Sequence, residues 1–567
     1  MVRAWVVGPF GETASVNRVV LVRRPEGVVE AQEDADDGTT TVVRMPAGEL
    51  PAYARNREQG TVRWVWDDTT RWYPGLLAAG VRVARCTDLR LCHAVLRRSP
   101  FVDQGLLAGD GTPGWDELQP VTAGDEALFP LDDPADRLDP VAEHARQRAA
   151  LAASPEQGRL GLLLAAESSG ALVAAEMTAA GLPWRADVHE RLLADLLGPR
   201  PPAGQRPAVL ERLAVEVRAA FGAPELNPDS PAELLRALRS AGLPVSDTRS
   251  WTLEQLDHPG VPALLEYKKL ARLMAANGWS WLDTWARDGR FRPWFLPGGV
   301  VTGRWASTGG GALSVPVQVR PAAVADDGWR LVVADVAQLE PRVLAAMSGD
   351  LAMAEAARAT DLYLGMVASG AVATRAEAKV GILGAMYGGT RGESGRMLPR
   401  LTRRYPRAIG LVEEAARAGE RGEVVRTLLG RGSPVPTGAW AQRGPDLGEP
   451  SDVAGSREDA DRHRRSWGRF TRNFVVQGTA AEWALCWMAD LRNRLWQLGG
   501  SGTVSERPHL VFFLHDEVLV HTPEALAPAV AEEVRRSAAE AGRLLFGGFP
   551  VDFSLDVAIV QSWADAG

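Results

Sequence analysis

The chain has 567 residues, 46% of them apolar and 24% charged, with a formal net charge of −8. That length exceeds what one hydrophobic core supports, so roughly three or four domains are expected. The ordinary globular balance excludes a disordered, collagenous or fibrous protein. Cys86, Cys92 and Cys486 cannot build a disulfide framework and lack paired zinc-ligand spacing, which suits a reducing cytosol.

The start, Met1-Val2-Arg3-Ala4-Trp5, lacks a basic-then-apolar cleavable segment. The longest apolar stretch, Leu160 to Ala175, is interrupted by Glu167 and by Ser168-Ser169-Gly170, so no membrane span is expected. Net charge gives no hint of nucleic acid, but it does not report local patches. Lysine occurs only at Lys268, Lys269 and Lys379, so nearly every positive charge is Arg and each remaining Lys draws interest.

In chain order, residues up to about Arg98 alternate β-like runs with polar breaks. The runs are Val19-Val20-Leu21-Val22 and Val62-Arg63-Trp64-Val65-Trp66, with an acidic loop expected between them at Glu33 to Asp37. A small α/β domain is expected there. Pro, Gly and Asp crowd residues 109–139, which reads as a linker. Helical spacing dominates Asp139 to about Gly289, broken at Gly181-Leu182-Pro183 and Pro199–Pro207. Strand-like runs return from Gly298 to Gly349, notably Trp329 to Ala334, and helix follows to about Leu429. A polar loop is expected from Gly430 to about His463, then another helix, a β-hairpin at Val511–His521, and a last helix and strand.

Four constellations carry chemistry. Leu514-His515-Asp516-Glu517-Val518 sets two adjacent carboxylates inside an apolar β segment. Burying them costs several kcal/mol unless something such as a metal ion compensates, although a water-facing turn explains them equally well. Asp335 closes the run Val332-Val333-Ala334, and a helix begins just after it, where Pro341 fits an early position. A strand-end carboxylate can ligate Mg2+, but a helix cap is the commoner role. Arg375, Lys379, Leu383 and Tyr387 recur every four residues and form one helical stripe. Its two cations can hold a triphosphate, and its apolar and aromatic end can meet a base and sugar. Arg469, Asn473 and Gln477 form a second stripe, ending at Gly478-Thr479-Ala480. Such side chains can donate to minor-groove acceptors, which are nearly the same for every base pair.

Taken in this order, the motifs Asp335–Arg342, Arg375–Gly388 and His515–Glu517 resemble those of family A DNA polymerases, the DNA polymerase I-like enzymes. Thr302-Gly303-Arg304-Trp305-Ala306-Ser307 is similar to the family's Thr-Gly-Arg segment. The resemblance covers residues 150–567. It implies a multi-domain α/β and α+β protein, a right hand of palm, fingers and thumb behind an N-terminal ribonuclease H-like, exonuclease-like α/β domain. The boundaries expected are 1–140 for the degenerate exonuclease-like domain, 141–290 for thumb and linking helices, 291–360 and 464–567 for the palm, and 361–463 for the fingers.

The resemblance also implies roles. Asp335 and Asp516 would hold two Mg2+ ions, with Mn2+ able to substitute, and Lys379 could protonate the leaving group. Arg375, Lys379, Leu383, Tyr387, Glu340, Gln338 and Tyr363 would surround the incoming dNTP, with Glu340 as the steric gate against a ribose 2′-hydroxyl and Glu517 lining the site. Arg304, Arg469, Asn473, Gln477 and His515 would meet the primer–template. Lys268, Lys269 and Arg272, on a thumb-like helix, would meet backbone phosphates. A monomer acting on primer–template and dNTPs, cytoplasmic and nucleoid-associated, without a membrane, is expected.

Two positions depart from the family pattern. Leu383 stands where an aromatic residue is usual, and Tyr363 where Asp361-Leu362-Tyr363 usually ends in His, so weaker nucleotide binding or altered fidelity is expected. The proofreading chemistry of the family needs an Asp-x-Glu pair on the first strand. Here Val7-Gly8-Pro9-Phe10-Gly11-Glu12-Thr13 places Phe10 two residues before Glu12, so no proofreading is expected, and no 5′-nuclease domain. A polymerase-like protein that binds primer–template with little synthesis, and a single-subunit RNA polymerase, are the alternatives.

Overall fold

The computed structural model describes residues 16–35, 37–108, 114–121, 134–389, 392–436, 457–500 and 502–566. The Val7–Thr13 segment lies outside them.

The N-terminal α/β domain is built on β1 (Val16–Arg24), β2 (Val28–Ala35), β3 (Thr40–Pro46), β4 (Arg63–Trp66) and β5 (Cys86–Asp88), in the order β3-β2-β1-β4-β5. β1, β2 and β3 are antiparallel neighbours, whereas β4 runs parallel to β1 and to β5. The central strands are covered on both faces: Val19 and Leu21 enter one core cluster, and Val20 and Val65 another. That explains the unbroken apolar run on β1, which a half-solvated strand would not show. Helices α1 (Leu50–Arg57), α2 (Thr69–Ala78) and α3 (Leu89–Leu96) follow, and the short α4 (Gly114–Glu117) falls within the segment read as a linker.

The acidic segment is not the loop that its composition suggests. β2 continues through Ala35, and Glu33 is buried in the sheet beside Arg57 and the Tyr53 hydroxyl. β3 supplies the ladder partners and nearby cations neutralise the carboxylates, so the strand persists despite its charge.

Helices α5 (Pro140–Ala153) and α6 (Gln157–Ala180) come next. By length and composition alone α6 passes the measure of a membrane span, as a buried core helix also does, and 67% of its apolar window is buried inside the protein. It is the packing axis of this part of the molecule. Gly170 admits Leu485 and Trp305, since a Cβ there would lie 2.6 Å from Leu485 Cδ2. Glu176 accepts from the Tyr73 hydroxyl at 2.5 Å and from Arg492 Nε at 2.8 Å and Nη2 at 2.6 Å.

Residues 181–294, 307–333 and 558–567 form a second compact unit, and 1–180, 295–306 and 334–557 the first. The second unit holds β6 (Leu182–Pro183), α7 (Ala186–Leu197), α8 (Ala208–Ala220), α9 (Pro231–Ser240), α10 (Ser250–Leu253), α11 (Val261–Asn277), α12 (Trp279–Trp285), β7 (Ala286–Arg287) and β8 (Arg290–Phe291). The Gly181-Leu182-Pro183 break is therefore a strand, paired with β8. Trp184, His189, Trp281 and Phe291 pack ring against ring. Gly309 and Gly310, both at positive φ, let the chain pass over Trp285 and Phe291.

A two-stranded ribbon of β9 (Trp294–Leu296) and β10 (Ala306–Thr308) precedes β11 (Trp329–Val336). Then come α13 (Leu339–Ser348), α14 (Leu351–Ala356), α15 (Leu362–Ala368), α16 (Arg375–Tyr387), α17 (Gly392–Arg404) and α18 (Pro406–Glu420). The long α19 (Arg457–Leu498) starts six residues before the expected end of the polar loop at His463. Strands β12 (His509–Leu514) and β13 (Glu517–Pro523), α20 (Ala527–Phe546) and β14 (Leu555–Val560) complete a four-stranded sheet of order β12-β13-β11-β14.

Removing one partner of a buried, hydrogen-bonded ion pair leaves the other charge uncompensated. R492M is therefore expected to destabilise the protein by about 3–5 kcal/mol, read as a lower midpoint of urea denaturation. The double variant E176L/R492M, which removes both charges, is expected to recover most of the loss.

Candidate active site

The site is assembled where β11 ends beside the β12–β13 hairpin. Leu514 and Glu517 pair across the hairpin, leaving His515 and Asp516 as a two-residue turn. His515 takes a left-handed conformation, φ 60°, which such a tight turn requires and which a non-glycine residue adopts at a cost. The main-chain N–H of Val336 donates to the Asp516 carbonyl at 3.1 Å, so Asp335 and Asp516 sit on adjacent backbones. Asp335 is exposed and Asp516 half-buried. Burial first, and then the negative charge of Asp335, push the Asp516 carboxyl up to about 7. Two carboxylates so placed both ionise readily only with a cation between them.

Gln338 also takes φ 51°, and this sharp bend starts α13. Its side-chain oxygen accepts from the Leu362 N–H at 3.0 Å. Two residues on, buried Glu340 is clamped on both sides: the Arg304 guanidinium and the Tyr387 hydroxyl each donate to it. Burial, followed by the charge of Glu340, raises the Tyr387 phenol well above its ordinary value. Burial and Arg304 lower His515.

α16 carries the expected stripe. Thr374 caps it, its hydroxyl accepting from the Glu377 N–H at 3.2 Å. Arg375, Lys379 and Tyr387 are exposed and Leu383 is half-buried. Arg375 donates to Asp361 at 2.7 Å and lies over the Tyr363 ring at 5.5 Å. Tyr363 is buried, and burial pushes its phenol up to about 12. The helix ends at Gly388, φ 78°, where a Cβ would lie 2.6 Å from Arg469 Cγ.

On α19, Arg469 is exposed and Asn473 and Gln477 are half-buried, one face of the helix as the spacing requires. The Asn473 side-chain oxygen is buried without a hydrogen-bond partner among the described residues. Gly478 admits the Thr302 carbonyl and Thr427, and the latter would lie 2.4 Å from an added Cβ. In the second unit, Lys268 and Arg272 lie one turn apart on α11. Lys268 donates to the Thr248 carbonyl, exposed Lys269 pairs with Glu266 at 3.3 Å, and Arg272 is exposed.

Several supporting residues carry no motif signal. Asp361 caps α15 and holds Arg375. Arg472 fixes α16 to α19 by donating to the Ala385 carbonyl at 2.8 Å, and it pairs with Glu413 at 2.6 Å. Arg431 pairs with buried Glu167 and packs against Gly303. Glu482 accepts from the Thr427 hydroxyl and from the Leu429 N–H at 3.0 Å. Glu482 lies in an otherwise apolar stretch of α19, and that is the one cue the sequence offered.

The donor set suits a hard dication. Mg2+ is usually held by one or two carboxylates together with substrate phosphates rather than by an all-protein cage. Asp335 and Asp516 meet that requirement. Among the described residues, no group of three His, Cys, Asp or Glu side chains converges as a closed metal site.

The comparisons with known proteins identify the fold that carries this strand-end carboxylate pair, cationic helical stripe and polar helix face. Residues 205–565 match the family model described as DNA polymerase family A. The chain belongs to that family. It is 28% identical over 405 residues to the thermostable DNA polymerase I of Thermus filiformis, covering 63% of this chain and 44% of the relative. Over 330 residues it is 27% identical to the DNA polymerase I of Chloroflexus aurantiacus, covering 53% of this chain and 32% of the relative. The chain thus spans less than half the length of these curated relatives. A solved structure, the POL domain of Pol1 from M. smegmatis in complex with DNA primer-template and dNTP, superposes with a TM-score of 0.69 at 20% identity, covering 98% of this chain and 96% of that one. The fold class is therefore that of family A.

Burial pushes the Glu482 carboxyl up to about 7. Its folded pKa exceeds the ordinary 4.5, so the folded state favours the protonated form. As pH rises from 4.5 to 7, the unfolded chain ionises first and stability falls, by about 3 kcal/mol in total. Asp516, also pushed up to about 7, contributes a loss of the same sign, so urea denaturation at pH 5 and pH 8 is expected to show a smaller loss in E482Q than in the wild type, the difference being the contribution of Glu482.

Proposed function

We propose that the protein is a template-directed DNA polymerase that adds dNTPs to a primer 3′-hydroxyl. The observation that carries this reading is the pairing of Asp335 and Asp516 on adjacent backbones, with Glu340 just after Asp335 held by Tyr387 of the helix that carries Arg375 and Lys379.

Asp335 and Asp516 would hold Mg2+, or Mn2+ in its place, and two such ions supply activation of the primer hydroxyl and charge neutralisation at the leaving pyrophosphate. The protein's own contribution is placement and electrostatics. Lys379 and Arg375 would meet the triphosphate, and Lys379 would give a proton to the leaving group. Arg375 must first exchange its contact with Asp361 for phosphate, and Tyr363 offers its ring as a platform for the guanidinium in either state. Glu340, held by Arg304 and Tyr387, forms the wall that a ribose 2′-hydroxyl would strike, which favours dNTP over NTP. Gln338 and Glu517 shape the floor, and Leu383 leaves an aliphatic surface beside the sugar and base. The amide NH2 groups of Asn473 and Gln477 and the guanidinium of Arg469 would donate to minor-groove acceptors, with His515 at the primer terminus. Lys268, Lys269 and Arg272 would meet backbone phosphates. The domain limits expected from the sequence, a monomeric state and a cytoplasmic, nucleoid-associated location belong to the same proposal.

The N-terminal domain is proposed to lack proofreading. The carboxylates at its strand ends are engaged by the protein itself. Asp68 caps α2 and pairs with Arg90, Asp88 caps α3, and Asp67 pairs with Arg23 at 2.9 Å.

A 5′-labelled primer on a longer template tests the proposal. Extension with Mg2+ and dNTPs is expected, with a loss of at least about a thousandfold in D335A and D516A. No shortening is expected when dNTPs are withheld. Tight binding without extension would instead indicate a DNA-binding scaffold, and primer shortening an active exonuclease. In the same assay, E340A is expected to raise NTP incorporation relative to dNTP by at least about tenfold. Unchanged sugar selectivity would remove the gate role.

A further inference from the structure

Beside α5, the N-terminal sheet gathers basic side chains around a cavity whose lining holds no carboxylate. Arg18 on β1 and Arg63 on β4 are direct neighbours in the parallel register, and like charges side by side on a sheet repel. α5 packs against both strands and adds His144 and Arg148, one helical turn apart. These four side chains, walled by Leu151 and Leu164, line a cavity of about 220 Å3.

The counter-charges nearby are few. Asp34 pairs with Arg18 at 3.3 Å and also accepts from Thr40. Glu143 is taken by His93, Arg146 and Gln147. Arg63 donates to the Cys86 carbonyl at 3.1 Å, and burial together with the charges of Arg85 and Arg18 disfavours its cation. His144 is only 9% exposed and lines the cavity. Burial, Arg18 and Arg148 lower its pKa to about 4, so near neutral pH it offers one N–H and one acceptor. Guanidinium groups gathered without enough counter-charge repel one another, and one bound oxyanion relieves that repulsion.

We propose that this cavity is a phosphate-binding site. Guanidinium groups fit phosphate oxygens in a forked, charge-assisted geometry, and several of them together favour a doubly charged group over a single carboxylate. The cavity exceeds the size of one phosphate, and its aliphatic wall leaves room for the ester carbon of a nucleotide. The phosphate comes either from a free small molecule or from a DNA strand. The site stands apart from the polymerase residues in the sequence and does not depend on the proposed reaction.

Thermal unfolding of the full chain tests this, with inorganic phosphate or dAMP against chloride at matched ionic strength, and fluorescence anisotropy with a labelled oligo-dT. Phosphate is expected to raise the Tm of the wild type and equally that of R375A/K379A, which rules out the triphosphate face of α16 as its source. In R148E, a surface charge reversal, the half-saturating concentration is expected to rise at least about tenfold. R63M is expected to raise the Tm without phosphate, because it removes a repulsive neighbour, and to flatten the response. A purely structural arginine would lower the Tm instead. If R148E and R63M lose the phosphate and dAMP response but keep oligo-dT affinity, the source is a free phosphate. If oligo-dT affinity falls as well, it is a strand phosphate. A phosphate response and an oligo-dT affinity that are the same in all these chains overturn the proposal, as does a response lost in R375A/K379A but kept in R148E.

Discussion

Five main-chain carbonyls converge on one guanidinium, and the polymerase-like half of the molecule is organised around it. Arg342 is fully buried. It donates from Nε to Ala337 at 2.7 Å, from Nη1 to Ala357 and to Asp552 at 2.6 Å, and from Nη2 to Ala359 at 3.0 Å and Thr360 at 2.7 Å. No carboxylate side chain is needed, because five charge-assisted hydrogen bonds offset the desolvation that disfavours the cation. The carbonyls belong to the end of β11, the turn leading to α15 and the segment before β14. A single side chain therefore fixes the backbone carrying Asp335 relative to the one carrying Asp361, which in turn holds Arg375. Asp335 and Arg375 are registered to each other through main chain, which moves less than side chains do.

The same economy recurs deeper in the core. α6 is apolar enough to pass for a membrane span, yet it buries Glu167 against Arg431 and Glu176 against Arg492. Each pair ties distant chain segments, the loop after α18 in one case and α19 in the other. Such pairs add little net stability compared with a hydrophobic replacement, but a misregistered partner strands a charge, so they penalise wrong packing strongly. Glycines serve the same end by closeness. Gly170, Gly388 and Gly478 each sit where a Cβ would strike a neighbour, and each lets a helix approach the segment that carries functional residues.

Much of the site was legible because its chemistry lies in local patterns. The four-residue spacing of Arg375, Lys379, Leu383 and Tyr387 dictates a shared helix face, and the apolar runs flanking His515-Asp516 dictate a hairpin with a two-residue turn. The Val7–Thr13 segment lies outside the described residues, and the acidic stretch at Glu33 is a strand where its composition suggests a loop. Local composition disfavoured a strand there; pairing with β3 and the cations around Glu30 and Glu33 overrode it.

The sequence by itself determined which residues share a face, where strands end in carboxylates, and the family these motifs resemble, because periodicity and order are properties of the chain. Only the tertiary structure decided that Asp335 lies beside Asp516, that Glu340 is clamped by Arg304 and Tyr387, that Arg375 rests on Asp361, and that Arg18, Arg63, His144 and Arg148 meet in one cavity. These are contacts between residues distant in sequence. They arise from packing and from the need to satisfy buried charge, and neither leaves a trace in local spacing.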